Sequence, residues 1–224
     1  MYNFFTDDFT IINNAISPDV CRLLAREFRM SRDLAMSANK NNPNIKHPSA
    51  KQIDYPFEDE MVRNSFSWYS PLCFESLSDT LIKDIVQNTI GQEVYPTYSY
   101  ARIYYKGSQM FRHVDRSSSE FSVSLCIDTD TRIDPWPLEI ETKDKKIIKV
   151  IQKPGDLVIY KGNNLYHWRQ KYTGFEHISA FMFYVMANGH KRELKYDTRP
   201  LLGMGSENRK LSSEEQFSLY PTIH

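Results

Sequence analysis

Thiols are scarce in this chain. Its 224 residues hold three cysteines, Cys21, Cys73 and Cys126, an odd number at wide spacing with no Cys-x-x-Cys pair. That excludes a disulfide framework and a thiolate zinc site, and it suits a reducing compartment. Glycine is scarce too, at 8 residues, against 14 tyrosines and 13 phenylalanines. This balance favours strands and stacked aromatic cores over flexible linkers. Net charge is absent, with 28 basic and 28 acidic residues, which argues against a broad basic surface for nucleic acid. Long hydrophobic runs are absent as well, so no segment is expected to span a membrane. The opening MYNFFTDDFT lacks the basic and apolar regions of a signal peptide. The expectation is a soluble, cytoplasmic protein with neither membrane nor nucleic acid as partner.

The chain reads as a single domain in three stretches: a helical part with a long loop over 1–92, a β core over 93–186, and a polar extension over 187–224. Residues 3–12 are strand-like. Ser17-Pro18-Asp19 is a helix start, with a capping serine, a proline at the first helical position and an acid at the positive helix end. Val20, Leu23, Leu24 and Phe28 follow at helical spacing, which predicts a helix to about Met30 with that face on the core. The Asn-, Pro- and Lys-rich stretch 37–57 reads as a loop, a candidate substrate lid in which His47 is exposed. A second helix is expected over 71–90. Leu77, Leu81 and Ile85 repeat every four residues, joined by Ile82, Val86 and Ile90, and Gly91 stops it.

From Glu93 the pattern turns β-rich. Residues 98–105 are aromatic, and Phe121, Val123, Leu125 and Ile127 alternate with Ser122, Ser124 and Cys126 as in a half-buried strand. Residues 138–141, 146–152, 157–160 and 178–186 supply further strands, with Pro154-Gly155-Asp156 as a turn. Short strands at close spacing, with no helical pattern between them, point to an antiparallel sandwich or jelly roll. The fold class is therefore mainly β with flanking helices (α+β). The polar tail is expected to wrap the outside, leaving His190 and His224 exposed.

Two stretches carry chemistry. RIYYKGSQMFRHVD (102–115) ends in His113 and Asp115; KPGDLVIYKGNNLYHWR (153–169) contains His167. In a strand, residues two apart share a face, so His113 and Asp115 can project together, and the fifty-two residues to His167 leave room for a ligand from another strand. Two imidazoles and one carboxylate form the facial set that suits non-heme Fe(II) with open positions. Against this stands the plainer reading of His113 and Asp115 as a hydrogen-bonded pair at a strand end, and of His167-Trp168 as a core corner. Trp136, between Pro135 and Pro137, reads as a packing feature.

Residues 98–185 resemble the Fe(II)/2-oxoglutarate-dependent dioxygenase superfamily, on its prolyl-4-hydroxylase-like side. The resemblance rests on Tyr104-Tyr105-Lys106-Gly107, His113-Val114-Asp115, Pro154-Gly155-Asp156 and His167. It implies a double-stranded β-helix, a cupin-like jelly roll, with N-terminal support helices. It implies His113, Asp115 and His167 as iron ligands, Tyr104 as a contact to the cosubstrate carboxylate, and Fe(II), 2-oxoglutarate and O2 as the reaction's requirements. The implied reaction is hydroxylation of a C–H bond in a small-molecule or peptide substrate, with succinate and CO2 as co-products. One position departs from the family. Ten residues after the distal histidine, where the family carries Arg or Lys for the far carboxylate of 2-oxoglutarate, stands His177. Either His177 is protonated when cosubstrate binds or another cation serves: Arg169 first, sharing a face with His167, then Arg102, sharing a face with Tyr104, with Arg116 also near. A different class stays open, a jelly-roll module that binds a metal or ligand without turnover. A cupin enzyme with three histidines and a glutamate ranks last, because no His-x-His is present.

Overall fold

A computed structural model describes residues 2–41, 61–69 and 72–203. Helix α1 (Phe4–Asp7) is capped by the Asn3 side chain and leads into strand β1 (Phe9–Ile12), so only the second half of the stretch 3–12 is a strand. Ser17 caps α2 (Pro18–Asn41) as its type suggests, its hydroxyl accepting the N–H of Val20 at 3.3 Å. The helix runs eleven residues beyond Met30 and takes in the start of the expected loop. The rest of that loop, with His47, lies outside the described residues. Strand β2 (Val62–Tyr69) follows, then α3 (Leu72–Asp79) and α4 (Leu81–Ile90). The expected helix over 71–90 is thus two helices broken at Thr80. The break rotates the second piece: Ile82, Val86 and Ile90 are buried, whereas Leu81 is exposed. On α2, likewise, Cys21, Leu24, Ala25 and Phe28 face inward, and Val20 and Leu23 do not.

The remaining strands are β3 (Val94–His113), β4 (Phe121–Thr129), β5 (Leu138–Glu141), β6 (Ile147–Val150), β7 (Leu157–Tyr160), β8 (His167–Arg169) and β9 (Glu176–Met186). They pair antiparallel in the order β1-β7-β4-β9-β3-β8-β5-β6, with β2 on the other edge of β3. Strand β3 makes the sheet curl. Up to Tyr105 it pairs with β9; from Met110 it pairs with β8. The corner between them falls at Gly107, whose φ of 93° lies where a side chain would be strained. A curled antiparallel sheet with helices on one face is the expected jelly-roll class.

Two apolar layers follow from the curl. Outside the larger wall, Phe121, Val123, Leu125 and Ile127 pack against Leu24, Phe28, Phe74, Ile82, Val86 and Ile90 of the helices. Burying a side chain such as Phe28, with no exposed surface, contributes about 1.5–3 kcal/mol. Inside the curl lie Tyr104, Met110, Leu138, Ile140, Val158, Tyr160, Tyr172, Phe181 and Phe183. Strand β4 is therefore covered on both faces, not half-buried. Its serines and Cys126 face the interior of the curl, and both faces are buried from Phe121 to Ile127.

The tail is more than a wrapping. A 3-10 segment, Arg192–Thr198, buries Leu194 and Asp197. Asp197 accepts both terminal nitrogens of buried Arg116, at 2.9 and 2.7 Å. Arg199 pairs with buried Glu75 of α3 at 3.3 Å. His190 is exposed, and His224 lies outside the described residues. Among the described residues no helix is long and apolar enough to cross a membrane.

Candidate metal centre

Paired residues on neighbouring antiparallel strands share a face, so the ladders write out the inner wall in rows. Phe183, Ser122 and Tyr160 form one row; Tyr100, Phe181, Ser124 and Val158 the next. Arg102, Ser179 and Cys126 follow, then Tyr104, His177 and Thr129 at the far end. Across the interior, three-residue β8 turns His167 and Arg169 inward, with buried Ile140 of β5 beside His167.

The first row is where the ligand atoms gather. His113 ends β3 opposite His167. Asp115 lies just beyond the strand, so alternation alone does not place it: its N–H donates to Gly162 O at 2.9 Å. One nitrogen of each histidine and one oxygen of Asp115 all lie within 4.8 Å of one another. Asp115 Oδ1 is 3.6 Å from His113 Nε2 and 3.5 Å from His167 Nε2, too far for good hydrogen bonds. Donors about 2.1 Å from one ion, at angles of 90–110°, stand roughly 3.0–3.5 Å apart.

The surroundings fix the chemistry of each donor. His113 Nδ1 meets Phe111 O at 2.7 Å, and His167 Nδ1 meets Leu165 O at 3.0 Å. A carbonyl only accepts, so each Nδ1 carries the proton and each Nε2 lone pair faces the centre. Ser122 Oγ donates to Asp115 Oδ2 at 2.6 Å. Burial alone raises the Asp115 pKa; positive charge at the centre, carried by a protonated His167 or His113 imidazole when no cation is bound, outweighs it and holds the carboxyl below its usual range. Gly162 makes room. A Cβ there would lie 2.0 Å from Ser122 Oγ and 2.2 Å from Asp115 Oδ2. Two oriented imidazole nitrogens and one ionised, braced carboxylate fit Fe(II).

The expected cosubstrate residues fall at the far end. Tyr104 is buried, with its ring 5.0 Å from Trp136 and 5.9 Å from His177, and it lies within electrostatic range of Arg169. Arg169 is 1% exposed. Its Nη1 donates to Trp136 O at 2.8 Å and its Nη2 to Gln152 Oε1 at 3.2 Å, over the Trp136 ring at 4.8 Å. Among the described residues its Nε has no hydrogen-bond partner and no carboxylate pairs with it. Burial lowers its pKa, yet a guanidinium stays charged. His177 contacts Thr129 Oγ1 at 3.0 Å and Ser179 Oγ at 2.9 Å. Burial first, and the Arg169 charge second, push its pKa well below 6.5. His177 is therefore neutral, and the positive charge at this end belongs to Arg169. Arg102 is buried beside Ser65, donating to its hydroxyl at 2.7 Å. Arg116 turns away to Asp197. Trp136 packs, as its setting suggests, but it packs against this end of the interior.

Sequence reasoning missed Ser122, Gly162 and Gln152. Ser122 and Ser124 carried a signal, since alternation put them on one face; that face was assigned to solvent.

No protein-family model matches the chain, and no curated protein matches its sequence. Solved structures do match. A prolyl-4-hydroxylase from Pseudomonas putida superposes with a TM-score of 0.57 at 16% identity, over 82% of this chain and 95% of that one. HygX from Streptomyces hygroscopicus, with nickel, 2-oxoglutarate and hygromycin B bound, gives 0.60 at 10% identity, over 92% and 91%. EctD from S. alaskensis, with bound Fe, gives 0.56 at 16% identity, over 82% and 74%. At these identities the likeness is one of architecture: the chain has the jelly-roll fold of the 2-oxoglutarate/Fe(II) oxygenases.

Proposed function

We propose that this protein is an Fe(II)- and 2-oxoglutarate-dependent dioxygenase that hydroxylates a C–H bond of a small-molecule or peptide substrate. The observation that carries the reading is Arg169. A buried cation without a carboxylate partner among the described residues is costly, and this one stands two residues along β8 from a candidate iron ligand. A dianionic 2-oxo acid reaching from the metal to Arg169 answers both. His113, Asp115 and His167 would hold the iron, which supplies activation of O2: one oxygen atom enters the substrate and the other enters succinate as CO2 leaves.

The chain's own groups do the rest. Phe111 and Leu165 carbonyls hold both imidazoles in the tautomer that presents Nε2. Ser122 keeps one Asp115 oxygen engaged and leaves the other facing the histidines. Arg169 orients the distal carboxylate with Tyr104 beside it, and Phe181, Phe183 and Tyr160 keep the interior dry. The buried free thiols of Cys21 and Cys126 fit a cytoplasmic setting.

A second reading is a module that binds without turnover, and the observation favouring it is neutral His177. Anaerobic titration of the Fe(II)-loaded protein with 2-oxoglutarate separates the two. The expected result is a saturable visible charge-transfer band, lost in His113→Ala, with succinate formed once O2 and a substrate are supplied. Iron bound without any band overturns the oxygenase reading.

A further inference from the structure

Gln152 lies just past β6 and is 7% exposed. Its two ends do different work. Nε2 donates to Ser124 O at 2.7 Å and to Asp156 O at 3.2 Å. Both partners only accept, so the amide cannot flip without setting oxygen against oxygen. Oε1 must therefore face Arg169, where it accepts Nη2 at 3.2 Å, with Ser124 Oγ at 3.5 Å. Trp136 O fixes the guanidinium from its other terminal nitrogen. Arg169 is thus anchored on two sides, and both anchors are neutral.

A glutamate has the length of a glutamine and would set a counter-ion at the same place. The chain carries an amide where a carboxylate would have compensated the buried charge. We propose that Gln152 is a specificity-determining positioning residue: it aims Arg169 and, by staying uncharged, reserves that cation for the distal carboxylate of the cosubstrate. The inference rests on the 2-oxoglutarate reading above. It assigns the selectivity between dicarboxylic and monocarboxylic 2-oxo acids to a side chain that touches neither metal nor cosubstrate.

The test compares two ligands of equal length, 2-oxoglutarate and 2-oxopentanoate, which carries a methyl where 2-oxoglutarate carries its distal carboxylate. Both are titrated anaerobically into Fe(II)-loaded wild type, Gln152→Glu and Gln152→Met, with Fe(II) affinity measured alongside. In Gln152→Glu the new charge competes for Arg169. The dissociation constant for 2-oxoglutarate should rise at least about a hundred-fold, as for a lost buried charge pair, and that for 2-oxopentanoate should move less than about three-fold. Gln152→Met keeps Arg169 charged but unaimed, so 2-oxoglutarate should weaken about ten-fold, as for one lost charge-assisted bond. General loosening would weaken both ligands and the metal together, and that result refutes the proposal. So does an unchanged ratio in Gln152→Glu. Should Gln152→Glu not fold, because its second oxygen meets two carbonyls, an unchanged 2-oxoglutarate affinity in Gln152→Met refutes it alone. A wild type that binds iron but not 2-oxoglutarate overturns the cosubstrate reading itself.

Discussion

Replacing Arg169 by methionine tests the site most sharply, because binding should fall while stability stays nearly unchanged. The side chain keeps its length and loses its charge. If Arg169 receives the distal carboxylate, the variant loses a desolvated, hydrogen-bonded charge pair, about 2–5 kcal/mol, or roughly 30- to several-thousand-fold in 2-oxoglutarate affinity. Stability of the ligand-free protein follows a different balance. The variant loses two charge-assisted bonds, to Trp136 O and Gln152 Oε1, about 1.5–3 kcal/mol each. It also relieves a buried guanidinium that no described carboxylate compensates, a term of several kcal/mol. The two terms offset, so the ligand-free variant should unfold close to the denaturant concentration of wild type. Arg116→Met is the control. Arg116 is buried too but bound to Asp197 at both terminal nitrogens, and its loss breaks a buried ion pair at a cost of about 3–5 kcal/mol. The assays are anaerobic cosubstrate titration and urea unfolding of the apoprotein. An Arg169→Met protein that binds 2-oxoglutarate normally, or falls in stability as far as Arg116→Met, refutes the reasoning.

Gly162→Ala should lower Fe(II) affinity about 10- to 100-fold, because its Cβ would occupy the seat of Asp115 Oδ2; unchanged affinity by metal titration would show that the carboxylate need not be held there. His177→Gln tests the neutral imidazole. Below the ordinary histidine value of 6.5 the unfolded chain takes up a proton that folded His177 refuses. Stability is therefore lost as pH falls below 6.5, by about 1.4 kcal/mol per pH unit from this site until the folded pKa is reached. Unfolding measured at several pH values should show wild type losing more than His177→Gln; equal losses would mean that His177 protonates freely in the fold.

The cluster of His113, Asp115 and His167 was legible because the chemistry expected of it restricts residue type: few side chains can supply two imidazoles and a carboxylate, and the histidine–aspartate spacing is short. Strands β5 and β7 were legible to their ends, the first as the alternation Leu-Glu-Ile-Glu and the second as a short apolar run after the Pro-Gly-Asp turn. Strand β2 was not. Its Asn64 sits at a φ of 53° inside a register shift, and its place comes from pairing with β3. The break between α3 and α4 carries neither Pro nor Gly, so local propensity gave no warning of it. On β4, alternation was read correctly and its meaning was not, since small polar residues facing a site look like small polar residues facing water. Asp197 shows the same limit for charge. It sits in a polar tail, and its partner Arg116 lies 81 residues away, so nothing nearby in sequence marks it as buried.

Strand β8 has a mechanical consequence. The imidazole of His167 and the guanidinium of Arg169 ride on one three-residue segment, so about 6.5 Å of strand rise separates their backbones. That gap is set by covalent geometry. Were the cation mounted on β9 instead, the gap would widen and narrow as the two walls breathe, and the ruler measuring cosubstrate length would stretch with them. Here the ruler is stiff, and softening of the helices outside the sheet should leave it unchanged. The cost is shared fate. Because side chains alternate, a one-residue slip of β8 against β3 turns both groups out of the interior together, so the seats proposed for metal and cosubstrate would be lost in a single step.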